Sequence, residues 1–441
     1  MDRCPGVDHL HFAHRISGED PNFRKTTIML AIRFLLSLLI VSPFLPAQSF
    51  LAGASQSAIN PSVGSFIAGH THNRRFSGMH DSLYAKALAI SSEKSGIVFL
   101  SIDCIGLLYP QLEAIRKEVT DMLGGSDVPN IILSSTHTHA GPDVVGIWGE
   151  DMMHSGVDSS YLGLLVHKAS VQVANAWRQR KPVSITFSQK QAGQDWVYNI
   201  SQSGELDRSV TSIFFRDPTG KMVASMTNFA CHPTFVDAVH DRISSDYLSG
   251  FYKHLDSVWG GVNLFLQGPI GGWVQPEYEA KTFEQAEFRG RQLADTVVAG
   301  YGSSVSLKGD RVSFKSRTFE LPVTNPGFQQ LSELGVIKRQ MAGSVRTEIA
   351  WVNIGNATIA THPGESVPAM GIATKALMHN DGPRMVLGLS MDALGYILKP
   401  EFFDPSNKIP HSEYLCSMST GKETAPKVMQ VIGELADQKE E

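Results

Sequence analysis

Two apolar runs flanking a helical stretch do most to limit the folds open to this chain. Residues 97–102, Ile-Val-Phe-Leu-Ser-Ile, are β-rich and end at Asp103. Pro110 then opens a stretch with Leu112, Ile115, Val119 and Leu123 at helical spacing, closed by Gly124-Gly125. A second run, Asn130–Ser135, delivers Thr136–His139 at its C-terminal end. Strand, helix, strand in that order implies a sheet with helices on its faces.

The rest of the chain repeats the theme. Asp158 caps a helix reaching about Arg180, and Asp217-Pro218-Thr219-Gly220 turns a hairpin between Ser209–Arg216 and Met222–Cys231. Further strands are expected at Asn263–Gln267, Glu348–Ile354, Thr358–Thr361 and Arg384–Ser390. Helices are expected at Lys281–Val298, Glu365–His379 and Glu423–Asp437. No linker, repeat or composition break divides them. The expectation is α/β: a single large mixed-sheet domain over residues 55–441, with flanking helices and a site at strand C-terminal ends.

Residues 1–54 read differently. Arg24, Lys25 and Arg33 precede the short apolar run of residues 34–41, and small residues follow from Ala52 to Ser57. That is the pattern of a secretory signal peptide, here behind an upstream extension because Met29 is the more natural start. The expected destination is the envelope or the exterior. Formal net charge is −5 and no Lys/Arg block occurs, which speaks against a nucleic-acid partner. Cys104, Cys231 and Cys416 are widely spaced and form no CxxC pattern, so a metal would need other ligands.

Three polar clusters follow strand ends. They are Ser135–Pro142 with His137 and His139, Asn228–Thr234 with His232, and His362-Pro363-Gly364-Glu365. Residues two apart on a strand share a face, so His137 and His139 are expected to reach one site by strand periodicity. Two or three histidines, one carboxylate and a free position make up a catalytic zinc site. A lone HxH pattern is cheap, as the loop sequence His70-Thr71-His72 shows.

The clusters together resemble the neutral/alkaline, non-lysosomal ceramidases. Ser135–Pro142 resembles that family's THTHSGP signature, and Asn228–Thr234 its F-A-x-H-P-T segment. Gly78–Leu88 is similar to its early G-h-D-x-L-y-A stretch, Pro363-Gly364-Glu365 to its P-G-E, and Gly395-Tyr396-Ile397 to a later Tyr motif. The five motifs occur in family order and cover the catalytic domain alone. The resemblance implies His137, His232, Glu365 and Tyr396 as Zn²⁺ ligands, with His139 and Tyr414 as oxyanion donors. It implies attack of zinc-activated water on the amide bond of ceramide or a related N-acyl lipid or small-molecule amide, with peripheral membrane contact through a lipid substrate.

This chain also departs from the family. The G-D-x-S-P stretch reads Gly272-Trp273-Val274-Gln275-Pro276, so Gln275 stands where the family has its active-site serine. Ile200 stands where the family has an arginine. Two other readings follow from these changes: a catalytically silent zinc-containing envelope or lipid-binding protein, and a zinc esterase.

Overall fold

The computed structural model describes residues 50–438, apart from 94, 238 and 278–279. The expected leader, as far as residue 49, lies outside the described residues. Strand β1 (Leu51–Ala58) crosses the boundary expected at residue 55. It pairs antiparallel with β2 (Tyr84–Ser91), β2 pairs antiparallel with β3 (Gly96–Ile102), and β3 runs parallel to β4 (Asn130–Ser135). All of β2 after Tyr84 is buried. A strand so enclosed needs cover on both faces.

One cover is helical. Helices α1 (Tyr109–Met122) and α2 (Ser159–Arg178) supply Leu112, Ile115, Val119, Leu165 and Val173 to the core. Asp158 caps α2 by accepting from the N–H groups of Ser160 and Tyr161, as the sequence suggested.

The other cover is a second sheet. It holds β5 (Ser184–Gln191), β6 (Ser209–Arg216), β7 (Met222–Phe229) and β8 (Val262–Gln267). Ile213, Phe215, Met226 and Leu264 face the first sheet's core, whereas Phe214 and Phe265 face α3 (Tyr247–Trp259) and α4 (Phe283–Gly302). Alternate residues on these strands thus enter different cores, giving helix, sheet, sheet, helix layers.

A third sheet contains β9 (Val312–Pro322), β10 (Ser344–Ile354), β11 (Ala357–Thr361) and β12 (Arg384–Leu387). The mixed α/β architecture is as expected, with its mixed pairing distributed over several sheets. The three large sheets share one device. Each ends in a parallel pair: β3 with β4, β7 with β8, and β11 with β12. Beyond these pairs the chain ends are stitched together. Ser135 N–H donates to Leu389 O at 3.0 Å, Gly388 N–H to Gln267 O at 3.0 Å, and Met391 N–H to Leu133 O at 2.8 Å.

One expected element differs. Glu365 does not open a helix; Glu365–Ser366 pairs in parallel with Tyr396–Ile397, and the helix begins only at Pro368 and ends at Ala376. Proline disfavours helical backbone at the residue before it, and Val367 is accordingly extended, with ψ 149°.

Candidate metal centre

His137 follows β4, but not along a continued strand. The strand stops at Ser135, and His137 has φ 69°, in the left-handed region. The expected strand periodicity is therefore not what brings His137 and His139 together. A turn does it, held by Thr136 N–H to Ile102 O and His137 N–H to Cys104 O, both 2.9 Å. Such a backbone costs about 1–3 kcal/mol and persists where surrounding bonds over-determine it.

His232 follows β7 in the same way. Its N–H donates to Val274 O at 2.9 Å, and its ring Nδ1 lies 2.7 Å from the same oxygen. His137 Nδ1 lies 2.5 Å from Ile105 O. A carbonyl can only accept, so both Nδ1 atoms carry hydrogen. Burial lowers His137 to about 3, which keeps its ring neutral and leaves Nε2 as a bare lone pair. That lone pair faces His139 Nε2 at 3.3 Å and Glu365 Oε2 at 3.5 Å. His232 Nε2 is 3.1 Å from the same Glu365 oxygen.

His137, His139 and His232 each offer a ligand atom within 4.8 Å of the others. The bare Nε2 of His137, a carboxylate oxygen and two further imidazoles facing one point suit a cation between them, so the donor set fits a metal ion.

Tyr396 sits beside Glu365 in the short parallel pair. Burial, reinforced by Glu365, pushes its phenol well above its ordinary value, and the Trp273 indole N–H donates to its oxygen at 2.7 Å. Trp273 has φ 64°, and its ring lies 5.5 Å from that of Tyr414 and 4.7 Å from that of His411. Tyr414 is 49% exposed, free enough to meet a substrate. The Gln275 amide donates to Tyr198 Oη at 3.0 Å.

His137, His139, His232, Glu365, Tyr396, Tyr414 and Gln275 all line one cavity of about 490 Å³. That is within the range of small-molecule sites. Ile200 lines it too, as does His70 of the second HxH pattern. His362, in contrast, is a satisfied core histidine, bonded to Ser366 Oγ at 2.6 Å and Thr374 Oγ1 at 3.0 Å.

Several supporting residues were not singled out from the sequence. The Gln267 side chain, fully buried at the end of β8, donates to Thr136 O and Cys231 O, both at 2.9 Å, and accepts from Cys231 N–H at 3.2 Å. It thus clamps the residues preceding His137 and His232. Asp237 Oδ2 lies 3.5 Å from His139 Nδ1. Burial pulls His139 down, but Asp237, with Glu365 and Asp246, more than offsets it and the ring is raised above its ordinary value. Asp143 accepts from the N–H groups of Val145, Gly146 and Trp148 at 2.7–2.9 Å, folding the loop that brings Ile147 and Trp148 to the cavity.

Asp81 accepts from Ser244 Oγ and from Ser245 N–H and Oγ, and Ser244 O accepts from Thr138 Oγ1. The early Gly78–Leu88 motif therefore braces the histidine turn from behind. Asp246 is the cap of α3 and accepts from Tyr247 N–H.

The architecture has solved counterparts. The crystal structure of neutral ceramidase from Pseudomonas aeruginosa matches with a TM-score of 0.72 at 15% identity, covering 88% of this chain and 74% of that one. The fold is that of neutral ceramidase. A second structure, a ceramidase complexed with C2, matches with a TM-score of 0.71, also at 15% identity, over the same shares of the two chains. No protein-family model matches the chain.

Proposed function

We propose that this chain is a zinc-dependent hydrolase of the linear amide bond in ceramide or a related N-acyl lipid amide, and a distant member of the neutral ceramidases. The observation that carries the reading is the convergence of His137, His139, His232 and Glu365 on one largely apolar cavity. The solved counterparts, both ceramidases, support the same chemistry.

His137 and His232, each locked through Nδ1 to a backbone carbonyl, would hold the ion together with Glu365 and Tyr396. When bound, zinc supplies Lewis-acid polarisation of the amide carbonyl and a water whose pKa approaches 7. In this reading His139, beside Asp237, and Tyr414, both lining the cavity, would donate to the substrate carbonyl oxygen as negative charge develops on it. Removing one such donor typically costs about 2.7–4 kcal/mol of transition-state stabilisation. Ile105, Leu108, Ile147 and Trp148 contribute apolar walls that exclude water from the carbonyl. Trp273 and Ile200 stand where the resemblance places polar substrate contacts, so we place this chain's preference among amides with less polar head groups than ceramide.

The test is metal analysis joined to a substrate panel. Purified protein should hold about one zinc per chain and release fatty acid from an N-acyl amide. His232→Ala should lose both properties, and a chelator should abolish release until zinc is restored. Protein holding no metal, or cleaving matched esters but no amide, would overturn the reading. The leader read at residues 1–54 would export this activity, and N-terminal sequencing of the protein recovered outside the cytoplasm tests that.

A further inference from the structure

One residue of the cavity has no part in the chemistry above. Arg339 lines the cavity, and its side chain is 5% exposed. Its Nη1–H donates to Asp392 Oδ1 at 2.6 Å and its Nη2–H to the Arg346 carbonyl. Asp392 is itself fully buried and rigidly held. It accepts from the backbone N–H of Tyr109 at 3.0 Å and of Ala393 at 2.9 Å, and from Thr347 Oγ1 at 2.7 Å. The carboxylate therefore fixes the guanidinium in place and balances its charge.

A guanidinium carries five N–H donors in a planar fork, and these two bonds engage two of them. The same cavity is lined by Leu108, Phe328, Ile337, Met341 and Leu394, which belong to one apolar cluster and offer a ligand no polar side-chain group. We infer that the remaining Arg339 donors form a polar subsite on this apolar wall, which recognises a neutral oxygen, hydroxyl or carbonyl, carried by the substrate at a distance from the scissile amide.

The chemistry selects that ligand. A plain alkyl chain displaces water from the guanidinium and offers nothing in return, leaving buried donors unpaired. A carboxylate would bring a second negative charge to a cation already balanced by Asp392, and would itself be buried without compensation. A hydroxyl or keto oxygen pairs the donors and adds no charge. The subsite deepens the amide-hydrolase reading, on which its role in catalysis rests; its ligand preference can be measured without turnover.

The experiment uses the zinc-loaded full chain and matched N-alkyl acyl amides. Each plain compound is compared with isomers bearing one hydroxyl or keto oxygen at successive carbons, on the acyl or on the amine side. One position is expected to raise kcat/KM by roughly tenfold or more, since sites built to bond an oxygen reject analogues lacking it. Arg339→Met/Asp392→Asn, which leaves no buried charge unpaired, should bring that ratio to about one. Arg339→Lys should lower it, because a point-charge ammonium does not reproduce the fork.

A flat profile in the wild type, or a preference that survives in the double variant, overturns the inference. Should the double variant not fold, the Lys variant decides: an unchanged ratio overturns the subsite and a reduced one supports it. If no amide is cleaved, the amide-hydrolase reading fails, and calorimetry with the same compounds then reads the subsite alone. There, tighter binding of one oxygenated isomer by roughly tenfold supports it, and equal Kd values across the panel overturn it.

Discussion

Replacing Gln267 by leucine should loosen the metal site without touching any proposed ligand. The two side chains are of similar size, so the change removes hydrogen bonds more than volume. Cys231 O keeps a donor, Tyr247 Oη at 3.0 Å, and Gly268 N–H keeps its acceptor, Phe229 O at 2.9 Å. Thr136 O and Cys231 N–H fare worse: among the described residues Gln267 is the only hydrogen-bond partner of either. Each buried group left unsatisfied costs about 1–3 kcal/mol, so the variant should lose about 2–6 kcal/mol. Urea unfolding at constant zinc concentration measures this as a lower midpoint at unchanged slope. The two orphaned groups lie one residue before His137 and His232, so zinc affinity, read by chelator competition, should fall about 10–100-fold, as for other supports of metal ligands. A loss of stability under 1 kcal/mol with unchanged zinc affinity would refute the clamp.

Other perturbations probe neighbouring parts of the site. Trp273→Phe keeps the ring but deletes the donor to Tyr396, and should weaken zinc binding about tenfold or more in the same competition assay; unchanged affinity would free Tyr396 from any dependence on the indole. Gly69 has φ 103°, and a Cβ there would lie 2.5 Å from the His139 ring, so Gly69→Ala should lower kcat on amides at least tenfold while zinc content stays near one per chain; loss of zinc would make His139 a ligand instead of a donor. Stability should also depend on pH through Lys86 and Asp103, both buried beneath the site. Burial lowers Lys86 from 10.5 to about 8 and raises Asp103 from 3.8 to about 6. The charged ammonium therefore costs stability below about pH 8, a cost relieved as pH rises toward 10.5. The charged carboxylate costs stability above about pH 6, a cost relieved as pH falls toward 3.8. At 1.36 kcal/mol per unit, each is worth about 3 kcal/mol. The difference in unfolding free energy between Lys86→Met/Asp103→Asn and the wild type should thus favour the variant most between pH 6 and 8 and shrink on both sides; a difference flat from pH 4 to 10 would contradict the assignment.

Much of the scaffold is legible in the chain itself, where local preference and burial agree. Asn130–Ser135 is a strand with the expected bounds, and Asp158 caps α2 because an aspartate before an amphipathic run has few better uses. The Glu365–His379 stretch was misread because its helical pattern outweighed Pro368, whose effect on Val367 leaves Glu365 free to pair with Tyr396. Strands β2, β5 and β9 are not among the expected elements, although turn residues such as Gly309-Asp310 and Asn325-Pro326-Gly327 bracket β9. Of the site, the identities of His137, His139, His232, Glu365, Tyr396, Tyr414 and Gln275 came from motifs, and all seven line the same cavity. The supports did not come from motifs. Gln267, Asp237, Asp143 and Asp392 sit in unremarkable sequence, and each acts on backbone or side chains that only the fold brings near.

What the sequence by itself determined is chemical: which side chains with metal-binding and hydrogen-bonding capacity follow the ends of strands. What only the tertiary structure decided is spatial. Three sheets place the ends of their parallel pairs side by side, and a left-handed turn at His137, instead of a continued strand, sets the direction of its ring. The physical reason is range. Helix and strand preferences act over a few residues, whereas ligand convergence depends on hydrogen bonds such as that from Gln267 to Thr136, between groups 131 residues apart along the chain.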